Sequence, residues 1–211
     1  MKPTVDLRPE LLGVRNQQRR GSCLAFAATA AHENHARLAE PLSVEFLFLH
    51  AITGASGGNP ADGASMAEIG RALNAPGQPL EVVWPYEAIQ LPLGLWSPPT
   101  ALGKLWSTSS SQVPSDFDEI IALLDAGKPV ILGILITANF GRCDATGLLP
   151  TSLPDPIRGR HAVLAVGHGV DASSGYLLIR NSWGLGWGLQ GHAWLSRDYI
   201  DQHLCEAMIL R

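Results

Sequence analysis

The stretch Asn16-Gln17-Gln18-Arg19-Arg20-Gly21-Ser22-Cys23-Leu24-Ala25-Phe26 runs from an extended polar segment into an alanine-rich helical pattern, with a cysteine at the join. Ser22 suits a helix cap, Ala and Leu fill the interior, and Pro41 stops the pattern, so the residues predict a helix from Cys23 to Glu40. Cys23 then lies in the first turn. A helix N-terminus lowers a thiol's pKa, and a nearby imidazole lowers it further, which is what a sulfur nucleophile needs. Taken alone, a lone cysteine at a helix start is more often a small buried hydrophobe, and it is the surrounding motif that favours the nucleophile.

Two later segments bear on that choice. His161-Ala162-Val163 opens an apolar strand, and Asn181-Ser182-Trp183-Gly184 follows a second strand, Tyr176 to Arg180, across the turn residues Asp171 to Gly175. Folded back, the second strand brings the Asn181 amide to an imidazole on the first, where it holds one tautomer and ring orientation. His168 is the rival base. Seven residues put it on the opposite face of an unbroken strand, and its glycine neighbours Gly167 and Gly169 suggest a surface or turn position. His32, His35, His50, His192 and His203 read as satisfied or solvated, and the closest pair, His32 and His35, lacks a metal partner at ligand spacing. Trp183 and Trp187, set among Gly184, Gly186 and Gly188, are bulky enough to roof the histidine–asparagine hydrogen bond. Gln17, six residues before Cys23, can turn its amide toward the thiol and complete an oxyanion hole with the Cys23 N–H; Gln18 competes for that role.

Outside these segments the front half is helical, with Leu42 to Ile52 and Ala64 to Leu73 as further helices flanked by the glycine-rich Gly54 to Gly63 and by Pro76-Gly77. Gln90 to Val113 reads as an irregular crossing between lobes. Beyond it come a capped helix at Asp116 to Ala126, a buried strand at Val130 to Thr137, and, after the strand His161 to Val166 and its partner, strands at Gly191 to Leu195 and Ala207 to Leu210. No repeat or low-complexity tract interrupts the 211 residues.

Bulk properties narrow the partners. A formal charge of -4 with scattered Lys and Arg gives no reason to expect nucleic acid or an anionic membrane. The longest apolar run, Val130 to Ala138, is far short of the roughly 18 residues of a bilayer span, and residues 1 to 20 lack a signal-peptide core. Three cysteines, Cys23, Cys143 and Cys205, are too few for a disulfide framework. A soluble, cytoplasmic protein is expected, although a chain cut from a longer secreted precursor reads the same.

The combined pattern resembles the papain family of cysteine peptidases over nearly the whole chain. The residues that carry it are Val5-Asp6-Leu7-Arg8, Asn16-Gln17, Gly21-Ser22-Cys23 with Ala25-Phe26, Pro85-Tyr86, His161-Ala162-Val163, and Asn181-Ser182-Trp183-Gly184 with Gly186-Trp187-Gly188. His161 follows Cys23 by 138 residues, inside the family's interval of roughly 130 to 150, and Asn181 by 158, slightly beyond it, as a lengthened turn at Asp171 to Gly175 would produce. The resemblance implies Cys23 as nucleophile, His161 as general base then acid, Asn181 as orienter, and Gln17 rather than Gln18 as oxyanion donor. It also puts a substrate-pairing wall near Gly63-Ala64-Ser65, with Met66 and Ala162 lining the main specificity pocket.

Two residues depart from the family. Arg20 stands where a half-cystine usually precedes the nucleophile, and Leu24 where an aromatic follows it, so the fold must stand without the usual disulfides. Arg19 and Arg20 add positive potential near the thiol or are solvated loop charges. Val5 to Arg8 matches the start of a mature enzyme with no inhibitory prosegment visible, which leaves restraint to a regulatory protein partner, restricted access or narrow specificity. The expected fold is α+β and two-lobed in one domain of residues 1–211: a helical lobe over about 12–105, and a twisted antiparallel sheet over 106–211 plus an N-terminal strand. The expected chemistry is acyl transfer from a peptide or isopeptide amide to Cys23 followed by hydrolysis, with neither cofactor nor metal. A non-catalytic peptide-binding module and an amidase or acyltransferase are the alternatives.

Overall fold

The computed structural model describes residues 1–54, 58–151, 154–171 and 174–211. In chain order the elements are β1 (Pro3–Asp6), α1 (Cys23–His35), α2 (Val44–Thr53), α3 (Met66–Asn74), β2 (Ser110–Val113), α4 (Phe117–Asp125), β3 (Val130–Thr137), β4 (Ile157–Val170), β5 (Gly175–Arg180), β6 (His192–Ser196), α5 (Arg197–His203) and β7 (Leu204–Leu210). The strands form one antiparallel sheet in the order β2-β7-β3-β4-β5-β6, with β1 paired to β4. This is the α+β architecture expected.

Each sheet face has its own core. Helices α1 to α3 pack on one face through Ala162, Leu164 and Val166 of β4, while α4 and α5 cover the other through Val163 and Ala165. A strand covered on both faces needs no polar side, which explains the unbroken apolar run of β3. Helix α1 is buried on every side from Leu24 to Glu33. Its alanines keep it slim enough to lie between the sheet and α2.

Several boundaries differ from those read in the sequence. Helix α1 ends at His35, not Glu40, because Leu38 N–H bonds back to Glu33 O with Arg37 at φ 52°, and the Glu33 carboxylate then accepts Leu42 N–H at 2.8 Å. Ser43 caps α2 through Phe46 N–H, delaying its start to Val44, and a capping box between Ser65 and Glu68 sets the start of α3 at Met66. The 90–113 segment is not a plain crossing: it contains β2 and a 3₁₀ turn at Leu93–Leu95, and Trp96 is buried in the helical core. Strand β4 extends well beyond His161–Val166, and α5 is an additional helix, started by the Ser196 cap. Parts of two expected loops, residues 55–57 of the glycine-rich stretch and 172–173 of the turn after Asp171, lie outside the described residues.

His168 is neither at the surface nor in a turn. A register shift between Ala165 and Gly167 breaks the strand's alternation, and the buried ring meets Asp125 of α4, Nε2 to Oδ1 2.8 Å. Among the other histidines, His32 is satisfied by Gln78 at 2.9 Å and His192 by the Gln190 carbonyl at 3.1 Å. His50 Nε2 and His203 Nδ1, by contrast, are buried without a hydrogen-bond partner among the described residues.

Candidate active site

Cys23 begins α1 and faces a cleft of about 640 Å³ between that helix, the 58–66 segment and strands β3, β4 and β7. His161 and Ala162 of β4 line the same cleft. Ser22 occupies the cap position, but its side chain caps nothing; the hydroxyl instead meets Tyr86 Oη at 2.7 Å, and Tyr86 also donates to Gln17 O at 2.8 Å. The turn carrying the thiol is therefore tied to the mid-chain segment.

The imidazole's proton can be located from its partners. Asn181 Oδ1 accepts the Ser182 N–H at 2.8 Å, which identifies that atom as the amide oxygen. The same oxygen lies 2.7 Å from His161 Nε2, so Nε2 is the donor and the neutral ring keeps its lone pair on Nδ1. That leaves Nδ1 as the ring's proton acceptor. Trp183 lies against the ring, tilted 38°, at 4.9 Å between centroids. Trp187 meets Trp183 at 5.6 Å and donates to Phe140 O rather than covering the histidine itself. Phe140, which the sequence reading did not single out, fills the remaining side, 5.9 Å from the His161 ring and fully buried.

Burial acts on both partners. It pushes the Cys23 thiol up, against the backbone N–H groups of Ala162, Leu24 and Cys23, and it pushes His161 down to about 4, against the Asn181 hydrogen bond. The depressed thiol expected from the helix start alone is overridden by desolvation. Neither charge is favoured singly. A thiolate–imidazolium pair would form both charges together, and in a poorly solvated cleft their attraction would oppose the cost of each.

Gln17 and Gln18 part company. Gln18 is exposed at φ 55°, whereas Gln17 is buried, its Oε1 accepting Ser182 Oγ–H at 2.6 Å and its Nε2 donating to Arg20 O at 2.8 Å. Nε2 has a second hydrogen for another acceptor. Gly63, Ala64, Ser65 and Met66 line the cleft opposite His161. They form no strand: Gly63 sits at φ 76°, a Cβ there would lie 2.8 Å from Gly21 O, and Ser65 is occupied with capping α3.

The sequence reading missed the cleft's far end. Gly133, in the middle of β3, leaves a slot whose walls are the Met66 methyl and Glu206 of β7: a Cβ built at Gly133 would lie 3.5 Å from Met66 Cε and 3.7 Å from Glu206 Oε1. Among the described residues the Glu206 carboxylate makes no hydrogen bond or ion pair. Asp62, Glu68 and the exposed Arg160 complete the charged rim. No cluster of metal-binding side chains occurs among the described residues.

A thiol at a helix terminus, across a cleft from an imidazole held by an asparagine, is the arrangement that thiol-based acyl transfer uses. The papain family cysteine protease model matches residues 1–209, and the chain belongs to that family. It is 29% identical to a cathepsin L-like proteinase of Fasciola hepatica, across 88% of this chain and 56% of that protein, and 26% identical to pro-cathepsin H of Bos taurus, across 92% and 60%. The chain thus spans a little over half the length of these curated relatives. Among solved structures, xylellain, a cysteine protease from Xylella fastidiosa, superposes with TM-score 0.81 at 26% identity, covering all of this chain and 86% of that one. The bromelain protease of Ananas comosus shares the fold at TM-score 0.74 and 22% identity.

Proposed function

We propose that this chain is a cysteine peptidase that cleaves peptide or isopeptide bonds through a thioester on Cys23. The observation that carries the reading is the Asn181 oxygen shared by Ser182 N–H and His161 Nε2–H, which leaves an unprotonated Nδ1 on a ring that lines the same cleft as Cys23. In the proposed sequence the Cys23 proton passes to Nδ1 and the thiolate attacks the carbonyl carbon. The Cys23 N–H and the second Nε2 hydrogen of Gln17 receive the oxyanion, and the imidazolium then protonates the departing amine. Water, deprotonated by the ring, attacks the thioester and releases the carboxylic acid. Chain family, relatives and site chemistry all agree with hydrolysis, and no feature of the site favours a non-catalytic role.

The slot at Gly133 selects among substrates in this reading. Its apolar walls suit a methylene stem, and the unpartnered Glu206 carboxylate at its end suits the cation of lysine or arginine. One domain of two lobes, with the cleft between them, is the organisation on which the reading rests. Three unpaired cysteines fit a reducing compartment such as the cytoplasm. No helix of the described residues is long and apolar enough to cross a membrane.

The test is incubation of the purified chain with a proteome-derived peptide mixture, followed by mass spectrometry of the new termini, beside Cys23→Ala. The wild type is expected to yield free carboxylate ends and the variant none, with little change in unfolding temperature. Cleavage persisting in Cys23→Ala would reject the assignment; products carrying an added amine in place of the carboxylate would make the chain an acyltransferase.

A further inference from the structure

Arg20 is not a solvated loop charge. It is 5% exposed, and each of its five N–H donors has an acceptor. Nη1 reaches Glu45 Oε2 and Glu87 O, both at 2.6 Å; Nη2 reaches Glu45 Oε1 at 2.9 Å and Gln90 Oε1 at 2.7 Å; Nε reaches Gln90 Oε1 at 3.0 Å. The guanidinium also stands 4.8 Å from the Tyr86 ring centroid, 5.3 Å from Trp96 and 5.4 Å from Phe48. Three pieces of chain converge on this side chain: the loop ahead of Cys23, helix α2 and the 86–96 segment.

The same residue's main chain faces the other way. Arg20 O is the acceptor that fixes Gln17 Nε2, and Arg20 is three residues before Cys23, whose N–H is the second oxyanion donor. Tyr86, under the guanidinium, holds Gln17 O and the Ser22 hydroxyl. A shift of the Arg20 side chain is thereby passed to both donors. We propose that Arg20 is a positioning residue for the oxyanion hole, its ionic lock with Glu45 setting where Gln17 Nε2 and the Cys23 N–H meet the developing charge. The inference rests on the role given above to Gln17. Lysine keeps the charge, but three donors on a flexible stem do not reproduce a planar five-donor fork.

The test is pre-steady-state acylation by a nitrophenyl ester of a blocked peptide, with the burst amplitude counting active sites so that loss of folded protein is separated from loss of rate. Arg20→Met and Arg20→Lys are expected to acylate about 10- to 100-fold more slowly per active site, the lysine variant being the less impaired, with KM within about twofold of wild type. In a Gln17→Ala background, Arg20→Lys should cost less than it does in the wild type, because one of the two donors it positions is already gone. If Arg20→Met fails to fold, Arg20→Lys and Glu45→Gln carry the comparison. Wild-type acylation per site in the Arg20 variants, or effects that multiply fully with Gln17→Ala, would overturn the proposal while leaving Gln17 in place. Wild-type acylation in Gln17→Ala alone would instead remove the oxyanion role of Gln17 and this inference with it.

Discussion

Ser182 Oγ donates to Gln17 Oε1 over 2.6 Å, and the Ser182 carbonyl accepts Gln17 N–H at 2.8 Å. The residue after the imidazole's anchor therefore also grips the loop ahead of the thiol, so one short segment sets the proposed base and the proposed oxyanion donor together. Ser182→Ala removes the hydroxyl and frees the Gln17 amide to rotate. The expected result is a fall in kcat of about tenfold with KM little changed, measured by steady-state kinetics on a peptide cleaved by the wild type. An unchanged kcat would mean that the main-chain bond alone holds Gln17.

In the proposed mechanism the thiol and the ring share one proton, and the pH dependence of alkylation by iodoacetamide tests it. Below about pH 4 the ring takes a proton from solvent and no longer accepts one from Cys23, so the rate should fall along a limb in that region. His161→Ala removes that limb and leaves a half-buried thiol whose reactivity rises only above the ordinary cysteine range. A single step near about 8.5, identical in both proteins, would show that sulfur and imidazole are uncoupled.

Substrate choice should follow the carboxylate at the end of the slot. Glu206→Gln is expected to lower kcat/KM for peptides that place lysine or arginine there by roughly tenfold or more, with peptides carrying leucine little affected. Gly133→Val fills the opening and should weaken both. Equal losses for basic and apolar peptides in Glu206→Gln would put the selecting group elsewhere.

Acid should weaken the fold through two buried rings. His161 and His192 each have a folded pKa of about 4 against 6.5 for the unfolded chain, chiefly because of burial. Between those values the unfolded chain binds more protons, so stability is complete above about pH 6.5 and declines as the pH falls toward 4, by at most about 3 kcal/mol per ring. Glu33 and Glu81, whose carboxyls burial pushes up, act in the opposite sense. Unfolding followed from pH 7.5 to 4 in the wild type and in His192→Gln isolates one histidine's share: the variant's curve should be the flatter. Parallel curves would show that His192 titrates normally in the folded chain.

What the sequence disclosed was local. Cys23 stands where a helical pattern begins and His161 where an apolar strand enters, and both positions could be read from their immediate neighbours. The Asp116 cap and the continuous apolar run of β3 were legible in the same way. Features that depend on distant partners were not. Phe140 joins the ring cluster from a 3₁₀ turn, the Gly133 slot is assembled from β3, β7 and α3, and Arg20 finds Glu45 25 residues away. Strand β2 hides because its residues, Ser110-Ser111-Gln112-Val113, are mostly polar, and α5 because Ile200 is its single buried side chain. His168 was misplaced for a related reason: alternation along a strand holds only while no residue is inserted, and the bulge before it is a tertiary feature.

A sulfur nucleophile works only while it is kept from oxidation, and the agents that protect it attack disulfide frames as well. In this chain all three thiols are unpaired and the loop bearing Cys23 is strapped down by a guanidinium and a carboxylate. Dithiothreitol or glutathione can therefore keep the Cys23 thiol reduced with no cross-link in the scaffold to sever.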